Sequence, residues 1–249
     1  MGKIRFIGTG SGFAVLQRNP SSIIIENKGK SVMLDCGDGT TRQLLRFDVD
    51  PLKIDGLVLS HMHPDHSGGI PFLVQTIHLM KRFDPFYIYV PNETTHFIRE
   101  LILRSYLFPE KMKFDLRIIP LYDRKKFDFS EISIEAYSND HLKTHPKLLK
   151  KYNDLNGESY SLKITCGDTR IVYSSDISGM QDLDEICKSG GDILICEAMH
   201  INLSKLKQFL EKNLFKRVIL THISKSIEES KSEIGDEFIL ATDGLIMNF

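Results

Sequence analysis

The chain has 249 residues, a formal net charge of -1, 41% hydrophobic and 26% charged residues. That length suffices for one large domain over residues 1–249 with a sizeable core, and the charge balance lacks the basic excess that binding to nucleic-acid backbones normally leaves. No apolar run approaches the ~20 residues needed to span a bilayer, so no membrane segment is expected.

The N-terminal MGKIRFIGTG reads as a strand and turn, not as a signal peptide with an apolar core, which makes a cytoplasmic location the expectation. Cys36, Cys166, Cys187 and Cys196 show no CxxC spacing and lie in or beside apolar runs. Buried thiols are therefore expected, with no disulfide framework and no zinc knuckle.

Lys3 to Ile7 predicts a strand that breaks at Gly8-Thr-Gly-Ser-Gly12. Ser22 to Glu26 and Ser31 to Asp35 predict two strands joined by a hairpin turn at Asn27-Lys-Gly-Lys30. After Asp35-Cys-Gly-Asp-Gly39 a helix is expected over Thr40 to Phe47, then a strand over Ile54 to Leu59. Ile70, Leu73, Val74, Ile77 and Met80 or its neighbour Leu79 fall at helical spacing, so a helix is expected over Ile70 to Met80. A strand over Pro85 to Val90, a helix over Glu93 to Leu107 and a strand over Arg117 to Pro120 follow.

In the second half, strands are expected over Ile132 to Ala136, Tyr160 to Thr165 and Arg170 to Ser174, the last two forming a hairpin across Cys166-Gly-Asp-Thr169. Asp192 to Cys196 and Val218 to Thr221 read as short buried strands flanking a helix over Leu203 to Lys212. Phe238-Ile-Leu-Ala and Leu245-Ile-Met suggest a closing pair around Thr242-Asp-Gly244. Strand runs with regularly interleaved helices fit two mixed sheets packed together with helices outside.

The densest chemistry lies in Leu59-Ser-His-Met-His-Pro-Asp-His-Ser-Gly-Gly69, where His61, His63, Asp65 and His66 fall within six residues at the end of a buried strand. His61 and His63, two residues apart, can reach one ion while Asp65 and His66 turn towards a second. Imidazole and carboxylate ligands suit zinc, with manganese and iron as competitors, and no cysteine in the cluster narrows the choice.

This HxHxDH stretch, the Gly8-Thr-Gly-Ser-Gly12 loop and Asp35-Cys-Gly-Asp-Gly-Thr40 together resemble the metallo-β-lactamase superfamily, and within it the ribonuclease Z-like branch. The resemblance implies a four-layer αββα sandwich of two mixed β-sheets flanked by helices, and a binuclear metal-dependent hydrolase. It implies a third histidine after a downstream strand, which His141 fits, with His145 as the weaker rival. It also implies a bridging aspartate at a strand end, Asp176, and a last histidine after a late buried strand, His222. The implied set is His61, His63 and His141 on one ion, Asp65, His66 and His222 on the other, and Asp176 between.

Around that set the resemblance places Asp35 as a carboxylate orienting a ligand imidazole. Glu197 matches part of a histidine-glutamate-alanine-threonine stretch whose first position here is Cys196, and His200 resembles the branch's proton donor. His78 and His96 lie in predicted helices without a partner motif and read as structural.

Two ions can bridge a water and lower its pKa to about 7, supplying hydroxide at neutral pH. Asp65 is a candidate base for that water, and His200, helped by Glu197, a candidate acid for the leaving alkoxide. The resemblance places an RNA-gripping arm between the third histidine and the bridging aspartate, an interval that here is short. Lys143, Lys147, Lys150 and Lys151 in it read as a solvated face that could also meet a phosphate. A small nucleotide-like or sugar-phosphate diester is the favoured substrate, with RNA 3′-end cleavage and a thioesterase or lactonase as alternatives. A non-catalytic binding module is the rival from another class. Oligomeric state stays open, a homodimer included.

Overall fold

A computed structural model describes residues 2–229 and 234–249. Its strands run in chain order as β1 (Lys3–Gly8), β2 (Ser22–Asn27), β3 (Lys30–Leu34), β4 (Gly56–Val58), β5 (Phe86–Pro91), β6 (Leu116–Leu121) and β7 (Lys126–Phe129). The remainder are β8 (Ile132–Asn139), β9 (Ser159–Cys166), β10 (Thr169–Tyr173), β11 (Gly191–Glu197), β12 (Phe215–Thr221), β13 (Phe238–Leu240) and β14 (Ile246–Asn248). They form two mixed seven-stranded sheets, ordered β14-β1-β2-β3-β4-β5-β6 and β13-β12-β11-β10-β9-β8-β7. The helices are α1 (Thr40–Arg46), α2 (Pro64–Ser67), α3 (Ile70–Leu79), α4 (Thr95–Arg104), α5 (Pro146–Leu149), α6 (Leu203–Leu210) and α7 (Lys225–Glu229).

Three apolar layers make this the expected αββα sandwich. Between the sheets, Phe6, Ile23, Ile25, Leu34 and Val58 meet Ile134, Leu162, Ile171, Ile193 and Ile219. Outside the first sheet, Leu44 of α1, Leu73 and Ile77 of α3, and Ile98 and Ile102 of α4 cover Ile24, Met33, Leu57 and Ile88. Leu206 and Phe209 of α6 cover Leu194, Cys196 and Leu220 of the second. The period-two alternation of β8 and the 3.6-residue spacing of α3 are thus both satisfied by burial on one side.

The predicted hairpins form in register, with Asn27 opposite Lys30 and Cys166 opposite Thr169. Lys28 and Gly29 both take positive φ, as a two-residue turn of this twist requires. The suggested closing pair does not form. β13 joins β12 in the second sheet while β14 joins β1 in the first, because the Thr242-Asp-Gly244 turn carries the chain from one layer to the other. β7, the outer strand of the second sheet, escaped the sequence reading because only four residues long and alternately exposed it carries little pattern. All four cysteines are buried and free. No described helix is long and apolar enough to cross a membrane.

Candidate metal centre

The histidine stretch does not stay a loop. Pro64 occupies the first helical position of α2, where its missing N–H costs nothing, so Asp65 and His66 stand on a single helical turn directly after His63. Glycines let three loops press backbone against backbone around that turn. A Cβ on Gly37 would lie 2.2 Å from the Asp65 carbonyl oxygen, and one on Gly69 would lie 2.4 Å from that of Gly37. Cys36 N–H donates to the His66 carbonyl over 2.7 Å, and Gly69 N–H to the Cys36 carbonyl over 2.9 Å. Gly37→Ala is therefore expected to cost about 1–3 kcal/mol through overpacking, measurable by chemical denaturation.

Asp35 anchors the first-half ligands from below. Fully buried, its Oδ1 accepts from Ser60 N–H at 2.7 Å, and its Oδ2 accepts from the Ser60 and Tyr173 hydroxyls at 3.0 and 2.8 Å. His66 Nδ1 lies 2.8 Å from the same Oδ2 and donates to it. Ser60 has a single hydroxyl proton and spends it on Asp35, so its contact with His61 Nδ1 at 3.0 Å makes His61 the donor. Both imidazoles are thereby held as Nδ1–H tautomers with a free Nε2 lone pair turned inward.

The second half contributes from strand ends. His141 follows β8, Asp176 follows β10 and His222 follows β12. The two oxygens of Asp176 face different partners. Oδ1 lies 3.3 Å from His66 Nε2 and 3.0 Å from His222 Nδ1, whereas Oδ2 lies 4.0 Å from His61 Nε2 and 3.6 Å from His141 Nε2. His63 Nδ1 is 3.2 Å from His141 Nε2, and Asp65 Oδ2 is 3.1 Å from His222 Nε2. Asp35, Ser175 and His222 all adopt left-handed φ, at 58°, 51° and 54°. Such backbone costs of order 1–3 kcal/mol per non-glycine residue and collects at functional sites.

The donor set fits divalent cations. His61, His63, His141 and Asp176 each offer an atom within 4.8 Å of the others, as do Asp65, His66 and His222. Among the described residues, His61 Nε2, His66 Nε2, Asp176 Oδ1 and His222 Nδ1 are buried without a hydrogen bond, so lone pairs converge with nothing polar between them to satisfy. Burial drives His61 well below the usual histidine range and brings His141 down to about 4, keeping both neutral and ready to ligate. Burial pushes the Asp176 carboxyl up, but the electrostatic influence of the facing His66 and His222 imidazoles outweighs it and holds Asp176 well below the usual carboxylate range. His63 and His200 remain exposed, so the cluster opens to solvent on their side.

Residues 2–243 match the family model described as the anti-Pycsar protein Apyc1. The chain belongs to that family. Ribonuclease Z of Pyrococcus horikoshii is 29% identical over 235 residues, an alignment spanning 80% of this chain and 75% of that protein. Among solved structures, the metallo-β-lactamase fold protein YhfI from Bacillus subtilis superposes with a TM-score of 0.77 at 20% identity, covering 100% of both chains. A diphosphatase from the PhnP family superposes with a TM-score of 0.73 at 20% identity over 100% of this chain and 98% of its own. The Apyc1-family chain is thus a ribonuclease Z-like metallo-β-lactamase superfamily member and a metal-dependent hydrolase.

In this Apyc1-family chain all seven expected ligands come together, with His200 and Glu197 beside them. His200 Nδ1 is 3.3 Å from Glu197 Oε1 and 3.8 Å from Asp176 Oδ2, and His200 N–H donates to Glu197 Oε2 at 2.8 Å. The facing Glu197 carboxylate raises the His200 pKa above its ordinary value. His145 is exposed at the start of α5 and joins none of these groups; His96 is exposed and His78 half-buried on their helices. Sequence reading passed over Ser60, Tyr173, Asn139, Ser159, Ser161 and Ser174, all buried. Their one signal was a polar side chain inside or at the end of an otherwise apolar run.

Asp35→Asn tests the anchor. Asparagine tolerates the left-handed backbone, yet its NH₂ group would face hydroxyl and imidazole donors. Zinc affinity of the metal-stripped variant is expected to fall about 10- to 100-fold, read by titration against a competing chelator.

Proposed function

We propose that this protein, as a single catalytic domain over residues 1–249, hydrolyses a small phosphodiester of nucleotide-like or sugar-phosphate type. Two divalent cations, zinc in the first instance, would be held by His61, His63 and His141, and by Asp65, His66 and His222, with Asp176 shared. The division of the Asp176 oxygens between two histidine sets carries this reading. When bound, the cations supply Lewis-acid charge at a phosphoryl group and a water acidic enough to ionise near neutral pH.

The chain's own residues do the rest. Burial raises the Asp65 carboxyl, while the His222 hydrogen bond and the nearby His66 imidazole outweigh it and hold Asp65 below the usual range. Asp65 then serves as ligand and acceptor orienting the water, and is a weak store for its proton. His200, whose pKa the facing Glu197 raises and whose side chain is 34% exposed, delivers a proton to the departing alkoxide. A protonated donor is needed most by a poor leaving group, which favours phosphate esters of sugars over the thioesters or lactones that the same centre can also attack.

The interval between His141 and Asp176 favours a small substrate. It is filled by α5 and the β9–β10 hairpin and holds no further arm. Lys143 pairs with Asp140 at 3.0 Å, and Lys147, Lys150 and Lys151 are exposed. The ribonuclease Z relatives keep RNA 3′ ends as the second reading. Metal analysis and turnover of bis(p-nitrophenyl) phosphate test the chemistry, followed by a panel of cyclic nucleotides, sugar cyclic phosphates and RNA ends. A protein with neither tightly bound metal nor turnover would be a binding module, and turnover confined to RNA would replace the small diester.

A further inference from the structure

Asn139, the last residue of β8, is 2% exposed and stands opposite Ser159 of β9. Its side-chain amide uses its full donor capacity and two acceptor sites. Nδ2 donates to the Asp176 carbonyl oxygen at 3.1 Å and to Ser161 Oγ at 3.2 Å. Oδ1 accepts from His141 N–H at 3.2 Å and from the Ser159 hydroxyl. The orientation of the amide is fixed by these partners, because a backbone N–H can only donate and a backbone carbonyl can only accept.

One planar group therefore spans the backbone of two residues on opposite sides of the centre. His141 lies two positions beyond it in sequence, and Asp176 lies 37 positions away. The web continues through fully buried hydroxyls. Ser161 donates to the Ser174 carbonyl at 2.6 Å, and the Ser174 hydroxyl accepts from Glu197 N–H at 2.9 Å. Asn139 is thereby connected to both the ligand frame and the carboxylate that holds His200.

We propose that Asn139 is a positioning residue that sets the spacing between His141 and Asp176, and with it the affinity for the ion they share with His61 and His63. The proposal deepens the metal-centre reading and rests on it. No other side chain of similar volume makes the same contacts. Aspartate would turn a second acceptor against the Asp176 carbonyl, and leucine would fill the space while leaving His141 N–H and the Asp176 carbonyl without a side-chain partner.

The test is a zinc titration of metal-stripped native protein, Asn139→Leu and Ser161→Ala against a chromophoric chelator, with circular dichroism and thermal melts of the metal-free forms alongside. Asn139→Leu is expected to weaken one of two zinc sites about 10- to 100-fold, the range for groups that orient metal ligands. Ser161→Ala should weaken the same site by a smaller factor. If Asn139→Leu does not fold, Ser161→Ala, which removes one hydroxyl, decides the matter alone. Zinc affinities within twofold of native in the folded variants overturn the proposal even if the metal-free melts shift, because a role limited to tying β8 to β9 moves only the melts. Native protein that takes up no zinc overturns the metal-centre reading itself, and this inference with it.

Discussion

Asp176→Asn is expected to empty the centre. The carboxylate is 2% exposed and meets both histidine sets, one through each oxygen. The amide removes its negative charge and sets an NH₂ group against lone pairs. Taking one partner from a buried charge cluster costs about 3–5 kcal/mol, which as binding energy is a factor of roughly 2 × 10² to 5 × 10³ in affinity. Because the residue is shared, both ions are expected to weaken, and metal content after gel filtration should fall below one equivalent. Hydrolysis of bis(p-nitrophenyl) phosphate should fall at least as far. Two full equivalents of metal in this variant would remove Asp176 from the bridging role.

His200→Ala should behave in the opposite way. The side chain is exposed, 3.8 Å from Asp176, and although it lies within 4.8 Å of ligand atoms on Asp176 and His222 it is outside the seven residues proposed to hold the ions, so metal content is expected to stay at the native level. Turnover on a diester with a sugar alkoxide leaving group should drop about 10²- to 10⁴-fold, the range for a general acid, while a p-nitrophenolate leaving group needs little protonation and should suffer far less. The pH profile carries an independent sign. Glu197 raises the His200 pKa, so the acid form persists above the ordinary histidine range and activity on the alkoxide substrate is present below the raised pKa and lost as pH rises through it. Glu197→Gln lowers that pKa and should move the alkaline limb to lower pH. Equal losses on both leaving groups, or an unmoved limb, would assign the pair to structure alone.

The first half of the centre was legible because its proposed ligands are contiguous in the chain. His61, His63, Asp65 and His66 announce themselves by density, and the apolar run before them supplies a strand end to stand on. His141, Asp176 and His222 are single residues after ordinary strands. Nothing local separates His141 from His145, and the family resemblance selected it. In the structure His141 is buried beside His63 whereas His145 faces solvent.

The supporting groups were illegible for a different reason. Tyr173 and Asp35 are 138 positions apart, and Asn139 and Asp176 are joined only because β8, β9 and β10 pair in one register. A serine on a strand reads as a surface residue until both faces of that strand prove buried, as they are at Ser159 and Ser161. The closing strands failed similarly. Two short apolar runs either side of a tight turn predict a hairpin locally, and only the open edges of two separate sheets, β1 in one and β12 in the other, draw them apart.

That parting has a consequence for how the chain is made. During synthesis the outer edge of β1 has no partner until residues 246–248 have been made to form β14. From the making of β1 to that of β14 the first sheet therefore carries an open template for strand addition, and Lys3 and Arg5 place charges on the strand that bears it. His222 is made shortly before β14, so the proposed ligand set is complete only shortly before β14 covers the edge of β1.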